Sequence, residues 1–173
     1  MNKKRLYKLV YAALFASLVC IGTMIIHIPT PTNGYVHIGD GFVLLAGFML
    51  DPFFGAMAAG IGSMLADIFS GYTSYALATF LIKAAVALVA HFLFKVISRK
   101  HPRLRMPGVI IGGIVAETLM ITGYFIFEAT VLGYGLGAVA SIAGNVVQGV
   151  SGIILGAIFT ELIFKLNIAK KFN

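Results

Sequence analysis

Long apolar runs constrain the fold of this chain more than any other feature of its sequence. The longest lie at positions 6–28, 75–97, 107–129 and 137–166, and a helix of about 20 apolar residues spans a bilayer. Of the 173 residues, 60% are hydrophobic and 11% are charged, against about 45–50% and about 25% in soluble domains. This composition predicts a membrane protein and excludes a soluble enzyme and a disordered chain. Cys20 is the single cysteine, so a secreted disulfide scaffold is excluded as well.

Two shorter apolar segments lie between the first two long runs. Residues 38–50 and 52–69 are separated by Asp51 and Pro52, which favour the end of one helix and the start of the next. The first segment forms about 20 Å of helix, less than the hydrocarbon core of about 30 Å. We therefore predict an all-α integral membrane protein whose residues 1–173 form one domain of six transmembrane helices, the second of them irregular.

Basic residues cluster at alternate helix ends. They precede the first run, fill the loop 98–106 and recur at 165–171, whereas the loops 29–37, 70–74 and 130–136 contain no Lys or Arg. Cytoplasmic loops of membrane proteins carry the excess of Lys and Arg. Both termini are therefore predicted to be cytoplasmic, in a bacterial plasma membrane. The same placement indicates that the net charge of +7 reflects the topology of the chain in a lipid bilayer, which is the expected partner. It argues against nucleic-acid binding.

The first predicted outer loop, residues 29–37, contains Pro29 and Pro31. It cannot lie in hydrocarbon, where each unpaired backbone group costs several kcal/mol. It is expected either to cover the outer mouth as a lid or to be a plain surface connector. His27 and His37 flank the loop, but their spacing offers no metal site.

Polar side chains recur along one face of each of the last three long runs. The three stripes are Tyr75, Thr79 and Lys83; Glu117, Tyr124 and Glu128; and Ser141, Asn145 and Gln148. Residues at spacings of four, seven or eleven lie along one face of a helix. An ionisable residue inside a membrane helix costs at least a few kcal/mol and is a functional candidate by default. Each stripe runs from mid-membrane towards the outer end, which predicts a polar pocket open to the outside.

These stripes and the outer loop supply the candidate substrate-binding residues. They are Lys83, Glu117, Asn145, Gln148, Tyr75, Thr79, Tyr124, Asn33 and His37. Lys83 and Glu117 are expected to pair, either in the site or for packing alone. The two amides either bind the ligand or join helices. Glu128 and Glu161 are expected at the surface.

Catalytic chemistry finds little support in the sequence. The segment GVSG at 149–152 matches the GxSG of intramembrane serine proteases, but no histidine follows it. Without a base, Ser151 is not an activated nucleophile. The acidic residues show no metal-ligand spacing, and no phosphate-binding loop is present. We expect no enzymatic activity, no catalytic residue, no metal and no cofactor.

Small residues spaced four apart mark a further surface. Ala12 and Ala16 lie on the first run, and the third carries the same spacing from Gly55 to Ala66. Such spacing allows helices to approach closely in lipid. On a terminal helix, this surface is available to a partner protein.

Taken together, these features resemble the substrate-binding S component of an energy-coupling factor (ECF) vitamin transporter. The resemblance rests on six helices in a short chain, the Ala12 and Ala16 face, the Pro-rich outer loop, and residues 37–72 with their segments HIGDGF, DPFFGA, GIGS and SGY. The branch that it resembles contains riboflavin, hydroxymethylpyrimidine and pyridoxine binders. It implies capture of a vitamin from outside beneath a lid, and docking through Ala12 and Ala16 onto a scaffold subunit with two ATPases.

The pocket candidates combine both charge signs with amides and tyrosines. That mixture suits a small polar heteroaromatic ring, so the expected ligand is either pyridoxine or hydroxymethylpyrimidine, and the residues do not decide between them. A riboflavin-specific S component is an alternative, although three fused rings need apolar and aromatic walls. A self-contained secondary transporter is another, although such proteins show inverted repeats and a polar path to both faces, and neither is found in the sequence.

Overall fold

The chain forms a bundle of antiparallel helices in a computed structural model that describes residues 2–30, 34–99 and 101–166. The α-helices of these residues are α1 (Lys3–Ile25), α2 (Asp40–Met49), α3 (Pro52–Phe69), α4 (Thr73–Ser98), α5 (Arg105–Ile126) and α6 (Val139–Lys165). Between α1 and α2, the strands β1 (Ile28–Pro29) and β2 (Tyr35–Val36) pair antiparallel. Short 3₁₀ segments, Pro102–Leu104 and Gly135–Ala138, precede α5 and α6, and α5 continues into a π-helical turn, Phe127–Val131.

The helix ends follow local sequence signals. The side chain of Asn2 caps α1 by accepting a hydrogen bond of 3.2 Å from the Lys4 backbone N–H. Pro52 occupies the first position of α3, where its missing N–H costs nothing. Gly71 joins α3 to α4 with φ of +85°, a conformation that favours glycine. The predicted first helix, 6–28, ends earlier in the structure because the chain leaves α1 to enter β1.

Five helical segments of the described residues are long and apolar enough to cross a membrane: α1, α3, α4, α5 with its π turn, and α6 with its preceding 3₁₀ segment. Large apolar side chains such as Leu77, Leu81, Ile154 and Ile158 are exposed on the outside of the bundle, as a lipid-facing surface requires. The short helix α2 is almost entirely buried among α3, α4 and α6. Its neighbours therefore shield it from lipid.

Close helix contacts depend on small residues. A Cβ atom at Gly47 of α2 would lie 2.6 Å from the Ala87 carbonyl oxygen of α4, and one at Gly62 of α3 would overlap the Ala16 carbonyl oxygen of α1. Side chains at these glycines would separate the backbones. The small-residue spacing on α1 and α3 thus serves contact between these two helices within the chain.

Successive connections alternate between the two ends of the bundle. At one end, Lys8 of α1 pairs with Asp51 before α3 at 2.5 Å. At the other end, which we call the hairpin end, the β1–β2 hairpin lies with the connections α3–α4 and α5–α6. A hydrogen bond of 2.6 Å from Tyr35 to Asp67 joins the hairpin to the last turn of α3. The described basic residues of the segments predicted to be cytoplasmic, among them Lys8, Arg103 and Lys165, lie at the end opposite the hairpin.

Candidate functional site

A cavity opens at the hairpin end of the bundle, and its empty space, including the open mouth, is about 410 Å³. It is lined by Thr30, Gly34, Tyr35, His37, Asp67, Tyr75, Thr79, Tyr124, Glu128, Ser141, Asn145 and Gln148. The lining is polar and aromatic, so this cavity offers hydrogen-bonding partners and ring faces to a small ligand.

Tyrosine hydroxyl groups join α4 to α5 in one wall of the cavity. The Tyr75 hydroxyl donates to Glu128 Oε1 at 3.2 Å, and the Tyr124 hydroxyl donates to Thr79 Oγ1 at 3.0 Å. The two tyrosine rings lie with centroids 6.5 Å apart. Their hydroxyl groups are thereby fixed, and their rings present flat apolar surfaces beside polar partners.

The hairpin covers the cavity with an aromatic cluster. The ring of Tyr35 stacks on His27 at 3.8 Å and lies 4.7 Å from the ring of Tyr72. The Tyr35 hydroxyl donates to Asp67 Oδ1. Burial, together with the Asp67 carboxylate, raises the pKa of Tyr35, so the phenol keeps its proton and remains the donor of this bond.

Gln148 of α6 forms the floor of the cavity and is almost fully buried. Its Oε1 accepts a hydrogen bond of 3.2 Å from the His37 backbone N–H, and its Nε2 donates to Asp40 Oδ2 at 2.8 Å. Burial lowers the pKa of His37 to about 3, so its ring is neutral near pH 7. The neutral ring accepts from the Gly39 N–H at Nδ1, at 3.0 Å.

An ion pair lies directly beneath this floor. Lys83 Nζ is 2.5 Å from Asp40 Oδ1, and both side chains have 0% exposure. The Lys83 ammonium also lies 5.4 Å from the centroid of the Tyr124 ring. A continuous polar network therefore runs from Gln148 in the cavity through Asp40 to Lys83.

The expected pairing of Lys83 with Glu117 is wrong. Lys83 pairs with Asp40, because the start of α2 inserts between α4 and α6 and brings this carboxylate to the lysine. Glu117 lies close by, since a Cβ at Gly152 would be 2.8 Å from Asp40 Cβ and 3.4 Å from Glu117 Oε1. Both Glu117 oxygens are buried close to the Asp40 carboxylate.

The structure brings most of the predicted site residues together at the cavity. Six of them line it: Tyr75, Thr79, Tyr124, His37, Asn145 and Gln148. Lys83 and Glu117 do not line it and lie buried below. Asn33 lies outside the described residues.

Three acidic residues were misjudged or missed by sequence reasoning. Glu128, expected at the surface, is 3% exposed, because it lies in the π-helical turn and its carboxylate faces Tyr75. Asp67 and Asp40 were not predicted as site residues. A search of the sequence for carboxylates that could pair with Lys83 would have included both residues. Their spacing, however, does not distinguish them from the other acidic residues of the chain. Glu161 is partly exposed, as expected, and pairs with Lys165 at 3.6 Å.

A second, apolar groove of about 1,280 Å³ lies between α1 and α3 on the outside of the bundle. The predicted partner-contacting residues Ala12 and Ala16 both line it, together with the rings of Phe53, Phe54 and Phe69. Their small side chains leave the groove open. An unfilled apolar groove of this kind can accept side chains of another membrane helix.

The fold and the cavity define a class: a helical membrane protein with a polar cavity at one end of its bundle. The sequence matches the family model of the ECF-type riboflavin transporter S component over residues 3–165, and the chain belongs to this family. It is therefore a multi-pass membrane protein and a component of a vitamin transporter, not an enzyme. Membership implies that it binds a vitamin and associates with ECF scaffold and ATPase subunits. The family and the all-α membrane fold predicted from the sequence are confirmed.

Two individual proteins are also similar to the chain. One is a protein from Pyrococcus woesei that is described as an uncharacterised protein in the “gap 3′ region”. It is 37% identical over 139 residues, and the alignment covers 80% of this chain and 88% of that protein. The solved S component of a bacterial ECF transporter superposes with a TM-score of 0.67 at 24% identity, covering 94% of this chain and 98% of that one. The second similarity supports the fold alone.

Proposed function

We propose that the chain captures a single-ring vitamin or precursor, pyridoxine or hydroxymethylpyrimidine, in the cavity at its hairpin end. The observation that carries this proposal is the lining of the cavity by hydroxyl, carboxylate and amide groups around tyrosine rings. Both ligands are flat heteroaromatic rings with hydroxymethyl groups. Such rings need several hydrogen-bonding partners and an aromatic surface in a small space.

The same lining argues for a single ring over the three fused rings of riboflavin. No aliphatic side chain is among the described lining residues, whereas the dimethylated end of a flavin is apolar. The volume of about 410 Å³ also includes the open mouth of the cavity. A compact polar ring therefore matches the available groups better.

We assign different roles to the residues of the cavity and of the network below it. Asn145 and Gln148 are proposed to bind ring nitrogens and hydroxyl groups of the ligand, and the Tyr75 and Tyr124 rings to flank it. Lys83 acts as a positioning residue, because it holds Asp40, which in turn orients the Gln148 amide.

The hairpin end is proposed to face the outside, with the hairpin as a lid. Thr30 and Gly34 border the cavity, and Tyr35 bonds Asp67 across the gap between hairpin and bundle. A plain surface connector would not need such a bond. The absence of Lys and Arg from the described connections at this end supports the orientation.

Delivery to the inside is proposed to require the energising subunits, with the groove between α1 and α3 as the docking surface. Ala12 and Ala16 line this groove, and their small side chains let a helix of the scaffold subunit approach closely. The chain alone would then bind its ligand without transporting it.

Binding and transport assays test this proposal together. The purified chain in nanodiscs is titrated with radiolabelled pyridoxine, hydroxymethylpyrimidine and riboflavin, and uptake is measured in vesicles with and without the ECF module. We expect tight binding of one single-ring ligand, and uptake only with the module. Tighter binding of riboflavin would overturn the proposed ligand, and uptake by the chain alone would favour a secondary transporter.

A further inference from the structure

Another groove, which we call the α5–α6 groove, lies at the end of the bundle opposite the hairpin, between the start of α5 and the end of α6. It is lined by Met106, Ala157, Ile158, Glu161, Leu162 and Lys165, and its empty space, including the open side, is about 660 Å³. Four of these six side chains are apolar, and those of Ile158 and Leu162 are exposed on the outside of the bundle. The groove shares no residue with the one between α1 and α3, so it is a separate surface.

The α5–α6 groove begins at the ends of two candidate membrane spans. Arg105 is the first residue of the span Arg105–Val131, and Lys165 is the last residue of the span Gly135–Lys165. Along α6, Leu162 and Ile158 lie about 5 Å and about 10 Å further into the span than Lys165, at 1.5 Å per residue. The groove therefore runs from the polar boundary of the bilayer into its hydrocarbon region, as an acyl chain does below its headgroup.

Two cations lie at the polar end of the groove. Lys165 is one of the lining residues. The Arg105 guanidinium lies 3.7 Å from the centroid of the Phe164 ring, and a guanidinium held over an aromatic ring keeps its planar fork of N–H groups for an anion. Because Phe164 directly precedes Lys165, this contact brings both cations to the end of α6.

The protein balances these two charges only in part. Lys165 pairs with Glu161 at 3.6 Å, and the two side chains are 71% and 37% exposed, so the pair contributes little. Within the part of the chain that the structure describes, no carboxylate forms an ion pair with Arg105. Two cations beside one carboxylate leave the polar end of the groove with a net positive charge.

We propose that the α5–α6 groove binds one anionic phospholipid. The headgroup phosphate lies at Arg105 and Lys165, and one acyl chain lies along Ile158 and Leu162. Basic pockets between transmembrane helices bind anionic lipid headgroups, and the arginine fork matches two oxygens of a phosphate. An apolar helix of a protein partner would fill the groove but would bring no counter-charge to the two cations, so the arrangement favours the lipid.

Titration of the delipidated chain in detergent tests the site, with native mass spectrometry to count the bound molecules. The probes are phosphatidylglycerol, phosphatidylcholine with the same acyl chains, and inorganic phosphate. We expect one phosphatidylglycerol to bind at least about tenfold more tightly than phosphatidylcholine, and inorganic phosphate to bind more weakly than either. Affinities for the two lipids within about threefold of each other would overturn the proposal. Inorganic phosphate that binds as tightly as phosphatidylglycerol would show a plain phosphate site and overturn it as well.

Charge variants locate the recognition of the headgroup. Arg105→Gln with Lys165→Gln removes both cations and keeps the groove, and we expect the preference for phosphatidylglycerol to fall to about threefold or less. Lys95→Gln with Arg99→Gln is the matched control, because it removes one lysine and one arginine at the same end of the bundle, from the end of α4, and neither residue lines the groove. The control should keep the full preference. Equal losses in the two double variants would mean that the net charge, and not this site, attracts the lipid.

A variant that fills the apolar part distinguishes a lipid from a protein helix. Ile158→Trp keeps both cations, and Ile158 is 56% exposed, so the core is not disturbed. We expect this variant to bind phosphatidylglycerol about tenfold more weakly and to co-purify with the ECF module as the wild type does. Unchanged lipid binding together with loss of co-purification would assign the groove to a helix of a partner subunit and overturn the proposal.

Discussion

Lys83 and Asp40 form an ion pair at 2.5 Å that is completely buried between α2 and α4, directly under the cavity at the hairpin end. Two charges taken out of water are stable together only if geometry and further hydrogen bonds are good. Here Gln148 supplies the additional hydrogen bond to Asp40. The pair therefore connects the stability of the bundle to the orientation of the amide in the cavity floor.

Replacement of Lys83 by Met should destabilise the protein by about 3–5 kcal/mol, because it leaves the Asp40 carboxylate buried without a counter-charge. The free energy of unfolding in detergent measures this effect. The double variant Lys83→Met with Asp40→Asn should recover most of the loss, since no lone charge remains. Adding Glu117→Gln in place of Asp40→Asn should recover much less. Equal recovery by both would mean that Glu117 shares the lysine.

The sequence predicted those parts of the site that depend on helix periodicity. Tyr75 and Thr79 lie one turn apart on α4, and Asn145 and Gln148 share a face of α6. In a bundle, the faces that cannot turn to lipid turn to one another. These side chains therefore had to meet, and the structure places them around one cavity.

The partner of Lys83 could not be predicted in this way. Its identity depends on how deep the first turn of α2 inserts, which is set by the length of the hairpin before it and by contacts with α6. Asp67 and Glu128 lie at helix ends, where sequence spacing does not distinguish a residue that faces a cavity from one that faces water. The π turn at Glu128 also changes the helical phase, which regular spacing does not anticipate.

Truncation of the amides in the cavity should weaken ligand binding. Gln148→Ala and Asn145→Ala each remove hydrogen bonds proposed to reach the ligand, at a cost of about 1–3 kcal/mol or roughly 5- to 150-fold in affinity. Titration of the purified variants with the bound vitamin measures the change. Ser17→Ala on the exposed face of α1 is the control and should bind as the wild type does. Unchanged affinity in both amide variants would remove the amides from the site.

Removal of the Tyr35 hydroxyl group should loosen the lid. Tyr35→Phe keeps the stack on His27 but loses the hydrogen bond to Asp67, and bonds to charged groups contribute about 1.5–3 kcal/mol. We expect ligand dissociation to be faster by about tenfold or more, with a smaller change in the association rate. Stopped-flow measurement of both rates checks this. Dissociation at the wild-type rate would mean that the hairpin is a surface connector.

The orientation in the membrane can be measured with single cysteines. In a Cys20→Ala background, a cysteine at position 33 should react with a membrane-impermeant reagent added outside, and one at position 103 only from the inside. This follows from the Lys and Arg residues at the end opposite the hairpin. The reverse pattern of labelling would invert the orientation and place the cavity on the cytoplasmic side.

A large side chain in the groove between α1 and α3 should block assembly without affecting ligand binding. Ala16→Trp fills the groove at a distance from the cavity, so the variant should bind the vitamin normally but fail to co-purify with the ECF module and fail to support uptake. Leu14→Trp is a matched control, because Leu14 is 53% exposed on α1 and does not line the groove. Normal assembly of Ala16→Trp would show that the scaffold subunit docks elsewhere. Loss of vitamin binding in Ala16→Trp would instead show that the substitution disturbs the contact of α1 with Gly62 and the fold itself.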